Sequence, residues 1–221
     1  GANAFFLLRE SDKKKYNIPD KYLKKCIVSS SQVSGNQYTN KDWLEDAKKD
    51  KRVYLLYLND YISIDPSVEL YIREGLSKDF DKKYLTKKRK PWYSMENYTI
   101  GDLLVSTFTR DRFKFTMNDA GVINLTSFHL IKFKTNSRHL IKFLFGYFQT
   151  DVAKYTIGIV SREHGNGLLK IEPRDLNNLL VPDVEQHSDK DIDFVSKLVD
   201  QILVGNEEKQ QTLNDFFLSR I

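Results

Sequence analysis

The spacing of apolar residues changes partway along this chain of 221 residues. In the middle, Phe113 and Phe115 alternate with Lys114 and Thr116, which is the two-residue period of a half-buried strand. Further on, apolar residues recur every three or four positions, as on one face of a helix: Leu140, Ile141, Leu144, Phe145, Phe148 and Val152. Strands in the middle and helices toward the ends predict an α+β fold with a mixed, mainly antiparallel sheet and flanking helices.

Local signals place further elements. Helices are predicted over residues 20–26, 40–49 with Asn40 as the cap, and 66–75 beginning at Pro66. Strands are predicted over residues 4–8, 52–58, 103–108 and 112–117, with one or two more in 122–133. Residues 29–39 are rich in Ser, Gln, Gly and Asn, which predicts a polar loop.

The C-terminal part predicts two helices in succession. Ser188 or Asp189 caps the first, which Gly205 ends, and Asn206 caps the second. We therefore expect a helical hairpin over residues 183–221, packed on a main domain that covers residues 1–182.

Cysteine content and hydropathy restrict the setting of the chain. Its single cysteine, Cys26, excludes an internal disulfide and favours a reducing compartment. No apolar run approaches the roughly 18 residues of a membrane span, and the N-terminus lacks a secretory signal pattern. We expect a cytoplasmic protein with no membrane partner. Residue 1 is glycine, so we also expect a processed chain or a piece of a longer one.

Motifs for catalysis are missing from the sequence. It has no glycine-rich phosphate loop, no Gly-x-Ser-x-Gly elbow, and no histidines at metal-ligand spacing. Pro182-Asp183 with Glu185 resembles part of a nuclease metal cluster, but the lysine that such a cluster needs is missing. We therefore predict no catalytic residue, no metal site and no cofactor in this chain.

Basic residues beside aromatic ones are the positive signal. The run Lys87-Lys88-Arg89-Lys90-Pro91-Trp92-Tyr93 combines cations that bind phosphate with rings that stack on bases or anchor a loop. A hydrophobic plug is an equally good interpretation of Trp92 and Tyr93. Acidic residues dominate the C-terminal third, so a polyanion partner is expected for the first two thirds, although solubilising surface lysines explain the composition as well.

Polar side chains in predicted turns and loops complete the candidate DNA-binding set. Arginine reads guanine edges, and asparagine and glutamine read adenine edges. For any one of them, a solvated side chain is the simpler interpretation. They are Gln32, Asn36, Gln37, Arg110, Arg112, Asn118, Arg138 and Arg162.

Eight short motifs stand in the order of a known family. The first four are Gly1-Ala2-Asn3 before two phenylalanines, Ile18-Pro19 before a short helix, a Tyr-Leu-Leu strand in 53–58, and the basic run that ends in Trp92-Tyr93. The other four are Arg112-Phe113 with Asn118, Leu144-Phe145-Gly146, the segment GNGLLKIEPRDL over 165–176, and Val181-Pro182.

In these motifs the chain resembles the C-terminal TaqI-like target-recognition domain of N6-adenine DNA methyltransferases in restriction-modification systems. The resemblance covers essentially the whole chain and implies binding of double-stranded DNA beside an upstream methyltransferase domain that holds S-adenosylmethionine and a flipped adenine. The cofactor motif and the Asn/Asp-Pro-Pro-aromatic tetrapeptide of that domain are missing here. The fragment itself is thus expected to be non-catalytic, within a parent that methylates adenine at N6.

Two alternatives remain open at this stage. One is the DNA-specificity domain of a type I restriction-modification S subunit, which shares the Gly…Asp-Leu…Pro ending. The other is a protein-docking domain with no nucleic-acid role.

Overall fold

The structure is a computed structural model that describes residues 2–220. Gly1, the first residue of the Gly-Ala-Asn motif, lies outside the described residues. The chain forms two compact units. Unit 1 comprises residues 2–28, Thr39–Ile100 and Ala120–Ile123, and unit 2 comprises Ser29–Tyr38, Gly101–Asp119 and residues 124–220. The predicted boundary between residues 182 and 183 stays a prediction.

Helices and strands alternate irregularly along the chain. The helices are α1 (Asn3–Phe6), α2 (Glu10–Lys15), α3 (Asn40–Lys48), α4 (Pro66–Ser77), α5 (Arg138–Phe148), α6 (Asp151–Val160), α7 (Pro173–Asn177), α8 (Asp189–Leu203) and α9 (Lys209–Leu218). The strands are β1 (Leu7–Leu8), β2 (Leu23–Ile27), β3 (Gln37–Tyr38), β4 (Tyr54–Leu56), β5 (Leu103–Ser106), β6 (Phe108–Thr109), β7 (Phe115–Asn118), β8 (Ile123–Asn124), β9 (Phe128–Ile131), β10 (Arg162–Glu163) and β11 (Leu169–Lys170). Single 3-10 turns occur at Asp20–Tyr22, Ser30–Gln32, Thr86–Lys88 and Val184–Gln186.

Unit 1 is built on an antiparallel sheet in which β4 lies between β1 and β2. The central strand β4 is an apolar run, and all three of its residues are buried. Strand β2 contains two lysines, and only its last two residues, Cys26 and Ile27, are buried. Helix α4 contributes Val68, Tyr71 and Ile72 to the core, as the sequence predicts. The ring of Tyr71 stacks on Phe5 with centroids 4.9 Å apart.

Two predictions in unit 1 are wrong. Residues 4–8 were expected to be a strand, but Asn3–Phe6 is helical and only Leu7–Leu8 is extended. Residues 20–26 were expected to be a helix, but a 3-10 turn leads directly into β2. In the second segment the pairing of β2 with the distant strand β4 outweighs the local preference, since ladder hydrogen bonds and burial are gained together. In the first segment only Leu7 and Leu8 pair with β4, and the helical turn before them buries Phe5 and Phe6.

Unit 2 contains a four-stranded sheet in the order β3–β7–β5–β9. Strand β5 pairs antiparallel with β7 and β9, whereas β3 pairs parallel with β7. The expected polar loop over 29–39 thus contains a strand, because the backbone of Gln37–Tyr38 completes the edge of this sheet. A second, antiparallel sheet has the order β10–β11–β6. The predicted α+β fold with mainly antiparallel pairing is confirmed.

Helices of unit 2 pack around an aromatic core. Phe115 of β7 stacks on Phe148 of α5 at 4.3 Å between centroids. The predicted apolar stripe does not form one helix through Val152, because α5 ends at Phe148 and the Thr150 side chain caps α6 by accepting the amide of Ala153 at 3.2 Å.

The two C-terminal helices, α8 and α9, form the predicted hairpin, and α8 packs on α5. Ser188 caps α8 through the amide of Asp191 at 3.2 Å. The last helix begins later than predicted, at Lys209. Asn206 lies in the turn, where its amide bonds to the carbonyl of Gln201.

Candidate nucleic-acid interface

The basic segment of unit 1 follows α4 and is held in place by one buried threonine. Thr86 has no exposed surface, and its hydroxyl lies within hydrogen-bond distance of the carbonyls of Lys83, at 3.2 Å, and Phe80. These contacts tie the 3-10 turn Thr86–Lys88 to the residues just before it, where the Phe80 ring lies 5.7 Å from that of Phe5. The turn therefore presents its lysines from a fixed base.

Three lysines of this segment are exposed: Lys87, Lys88 and Lys90. The Nζ atom of Lys88 lies 3.9 Å from the centre of the Tyr84 ring, and that of Lys87 lies 5.7 Å from it. Within residues 2–220, none of the three pairs with a carboxylate. Their charges are therefore free to attract an anion from outside the chain.

Arg89 differs from its neighbours because its side chain is only 18% exposed. The guanidinium donates to the sulfur of Met95 at 3.5 Å and lies 5.7 Å from the Phe6 ring centre. Its pairing with Glu96 at 3.8 Å is loose. Arg89 thus anchors the basic segment, and its contact with DNA stays a prediction.

Trp92 and Tyr93 are both half-buried. The Trp92 ring packs on Phe5 with centroids 4.6 Å apart, in agreement with the alternative of a hydrophobic plug. Tyr93 meets Trp92 edge-on and lines a shallow cavity of about 410 Å³ together with Asn59 and Lys90. Of the two rings, Tyr93 borders open space beside a free lysine.

Gln32 and Gln37 use their side-chain amides within unit 2, whereas Asn36 is held there by its main chain. Gln32 accepts the amide of Ser29 at 2.9 Å and so closes the cap of its 3-10 turn. Gln37 donates to the carboxylate of Asp119. The main-chain carbonyl of Asn36 accepts a hydrogen bond from the main-chain amide of Met117 in β7 at 2.9 Å.

Arg112 and Asn118 are tied into the interior of unit 2. The guanidinium of Arg112 donates to the carbonyl of Thr150 and lies 3.4 Å from Asp151. Asn118 is buried and donates to the carbonyl of Gly101 at 2.9 Å. These bonds explain both residues as structural, and a DNA contact for either stays a prediction.

Three of the predicted arginines reach the surface of unit 2. Arg138 pairs with Asp119, which therefore joins it to Gln37. Arg162 pairs with the buried Asp175 at 3.0 Å. Arg110 is exposed and has no side-chain partner within the described part of the chain. Gln37 and Arg138 thus share Asp119, and the pairing of β3 with β7 places Asn36 and Gln37 beside Asn118.

Tyr84 was not predicted from the sequence, although the amino groups of Lys87 and Lys88 lie over its ring. Its spacing contained the signal, since Lys87 and Lys88 follow it by three and four residues, the separation at which helical neighbours meet. The basic run therefore has an aromatic residue on its N-terminal side, Tyr84, in addition to Trp92 and Tyr93 on its C-terminal side.

Charge is divided unequally between the units. Unit 1 carries 20 lysines and arginines against 14 acidic residues, whereas unit 2 carries 15 against 16. The positive excess of the chain therefore belongs to the unit that holds the basic segment. A polyanion is attracted mainly to that unit at long range.

The described residues hold no metal-binding cluster, and their one cysteine is buried. Residues 2–220 contain no group of three His, Cys, Asp or Glu side chains placed to hold a metal ion. Burial raises the pKa of the Cys26 thiol to about 12, so it stays protonated at neutral pH. Over the same residues, every helix is too short or too polar to cross a membrane.

Comparison with known proteins relates the chain to type II methyltransferases. The family model of the C-terminal domain of the type II methyltransferase M.Eco57I matches residues 1–214. The type II methyltransferase M.AccI of Acinetobacter calcoaceticus is 36% identical over 220 residues, which are 97% of this chain and 40% of that protein. The chain thus spans two fifths of the length of this relative.

A solved structure has a related fold. The type IIG restriction endonuclease BpuSI superposes with a TM-score of 0.53 and 15% identity, over 100% of this chain and 29% of that one. At this identity the likeness concerns the fold alone.

Proposed function

This chain belongs to the M.Eco57I C-terminal domain family of type II methyltransferases, and on that premise we propose that it recognises the DNA target of such an enzyme. In this proposal it is a sequence-specific module for double-stranded DNA, within an N6-adenine methyltransferase or a fused restriction-modification enzyme of the TaqI-like kind. We assign S-adenosylmethionine and the chemistry to an upstream domain, because this sequence contains neither of the motifs that they require.

The observation that carries the proposal is the set of three exposed lysines without carboxylate partners, two on the 3-10 turn Thr86–Lys88 and the third, Lys90, just after it. Lysines in such a position neutralise phosphates and release condensed counterions, which supplies most of the affinity for any DNA sequence. A solubilising surface would be equally charged, but it would not need the buried hydroxyl of Thr86 to hold the turn.

The proposal divides the work between two parts of the parent enzyme. The upstream domain takes a flipped adenine out of the duplex, while this chain holds the duplex and selects the site. The lysines of the basic segment contact phosphates, and exposed donors such as Arg110 contact base edges.

Salt-dependent binding tests the proposal. The chain is titrated with a labelled duplex of mixed sequence at several salt concentrations, beside a variant with Lys87, Lys88 and Lys90 changed to alanine. Arg89 is left in place because it anchors the segment. Each lost phosphate contact reduces the slope of log K against log salt by about 0.9, so we expect a slope smaller by about 3 and much weaker binding at low salt.

A matched variant controls for total charge. Lys41, Lys48 and Lys49 are exposed, belong to the same unit and form no ion pair within the described residues. Changing these three to alanine should alter the slope far less. Equal slopes for the two variants would contradict the assignment of the basic segment. Absent or salt-insensitive binding by the unchanged chain would favour a protein-docking domain.

A further inference from the structure

The register of the three-stranded sheet in unit 2 places cationic and aromatic side chains in one row. Arg162 of β10 lies opposite Lys170 of β11, and Lys170 lies opposite Phe108 of β6. Residues directly opposite each other in antiparallel strands project from the same face of the sheet. His164 follows two residues after Arg162, and its ring centre lies 5.6 Å from that of Phe108.

The other face of this sheet is turned toward the core. Leu169 lies opposite Glu163 and Thr109 and packs against the apolar core of unit 2. The row with Phe108 is therefore on the outer face, and 43% of the Phe108 residue is exposed. The exposed part of the Phe108 ring is not buried against the unit and therefore adds no hydrophobic stabilisation to it.

Carboxylates hold the two cations of the row in place without covering them. Lys170 donates to Glu172 at 3.0 Å, and Arg162 bonds to Asp175 at 3.0 Å. The Nζ atom of Lys170 lies 5.9 Å from the Phe108 ring centre. Half of the Arg162 side chain and a third of the Lys170 side chain remain exposed beside the Phe108 ring. A phosphate that contacts either cation shares it with the carboxylate already bound there.

We propose that this outer face, formed by Phe108, Arg162, His164 and Lys170 and here called the cation–aromatic face, is a DNA-contacting surface of unit 2. The proposal rests on the proposed function and adds a contact surface that the basic segment of unit 1 does not provide. Arg162 and Lys170 contact phosphates, while the Phe108 ring packs against apolar base edges such as the thymine methyl group. The major groove admits a two-stranded β-ribbon, which β10 and β11 form at one edge of this sheet.

Two variants separate the roles within the face. A duplex is first enriched from a random library with the unchanged chain, and binding to that duplex and to a mixed-sequence duplex is then measured against salt. Lys170→Gln should weaken binding to both duplexes and reduce the salt slope by about 1. Phe108→Ala should leave the slope unchanged but reduce the preference for the enriched duplex about tenfold.

Helix α8 of the same unit offers matched controls. Phe194 is 44% exposed, and Lys197 pairs with Asp193 at 2.6 Å. Phe194→Ala and Lys197→Gln should bind as the unchanged chain does, and Lys170→Arg should restore the slope. Unfolding midpoints of all variants are measured, so that loss of folding is not taken for loss of contact.

The outcomes distinguish this inference from the proposed function. If the unchanged chain binds and enriches a duplex, but Phe108→Ala and Lys170→Gln behave as their α8 controls do, the cation–aromatic face is not a DNA contact and the proposed function stands. If binding depends on salt but no particular duplex is enriched from the library, Phe108 does not select base edges and that part of the proposal is overturned. If the unchanged chain binds no DNA, both proposals fail.

Discussion

Gly75 lies so close to Phe5 that a Cβ atom added to it would stand 2.6 Å from Cε2 of that ring and 2.8 Å from the Trp92 ring. Helix α4 therefore approaches the aromatic cluster of unit 1 through a position that has no side chain. The same cluster receives Trp92, so the end of the basic segment is anchored where α4 comes closest.

Replacing Gly75 with alanine should destabilise unit 1. Alanine favours a helix by up to about 1 kcal/mol over glycine, but overpacking costs about 1–3 kcal/mol, so we expect a lower free energy of unfolding in urea. Gly158→Ala is the control, because a Cβ at this helical position meets nothing within 4 Å. That variant should gain up to about 1 kcal/mol. A gain for both variants would mean that α4 can shift away from Phe5.

The hydrogen bond between Tyr54 and Glu10 should make stability depend on acidity. The Tyr54 hydroxyl donates to the Glu10 carboxylate at 2.7 Å, which is the main cause that lowers the pKa of Glu10. A lowered pKa gives stabilisation above the unfolded value of about 4.3, and this stabilisation is lost as pH falls through the folded value. Tyr54→Phe should therefore cost about 1.5 kcal/mol at pH 7 and less at pH 3, measured by urea unfolding.

Tyr57→Phe is the matched control for this pH dependence. Its hydroxyl donates to the neutral amide oxygen of Asn97 at 3.4 Å, so no charge is gained or lost at that oxygen between pH 7 and 3. The cost of this change should be the same at both values. If the loss of unfolding free energy caused by Tyr54→Phe were also the same at pH 7 and pH 3, the hydrogen bond from Tyr54 would not depend on the ionisation of Glu10.

Asn118 and Arg110, both candidates from the sequence, should respond to substitution in opposite ways. Asn118→Ala leaves the carbonyl of Gly101 without its donor inside unit 2, so we expect a loss of about 1–3 kcal/mol in unfolding experiments. Arg110→Ala removes an exposed side chain, so its stability should change by less than about 0.5 kcal/mol while DNA binding weakens. Unchanged stability of Asn118→Ala would remove the structural explanation of that residue.

Cys26 should be unreactive until the chain unfolds. Burial raises the pKa of its thiol to about 12, and the side chain has no exposed surface. A thiol reagent with a coloured product should therefore report almost no reaction at pH 8 and one thiol per chain in strong denaturant. Rapid reaction of the native chain would indicate local opening of β2.

Elements with strong local signals could be predicted from the sequence, and elements that depend on distant partners could not. Helix α4 begins at the predicted Pro66, and α8 is capped by the predicted Ser188. Strand β2 was expected to be a helix, because so short a segment fits the spacing of a helix as well as that of a strand. Its pairing with β4, which is distant in sequence, makes it a strand. Strand β3 has only two residues, Gln37 and Tyr38, in a polar segment, and its pairing with β7 makes it extended.

The same distinction holds for the candidate interface. The basic run is contiguous, so sequence alone collected its lysines. The row of Phe108, Lys170 and Arg162 comes from three strands of two residues each, and only the strand register brings these residues together. The hydrogen bonds that hold Asn118 and Gln37 likewise involve residues far away in the chain, so no local pattern marked them as structural.

The path of the chain between the two units also limits how such a protein can be exchanged among relatives. The backbone passes from one unit to the other five times, so neither unit is a continuous stretch of sequence. A single genetic crossover within either unit would combine strands of different ancestry in one core, where packing tolerates few mismatches. Recombination between diverged relatives should therefore disturb packing least when this region is transferred whole, as one inherited block.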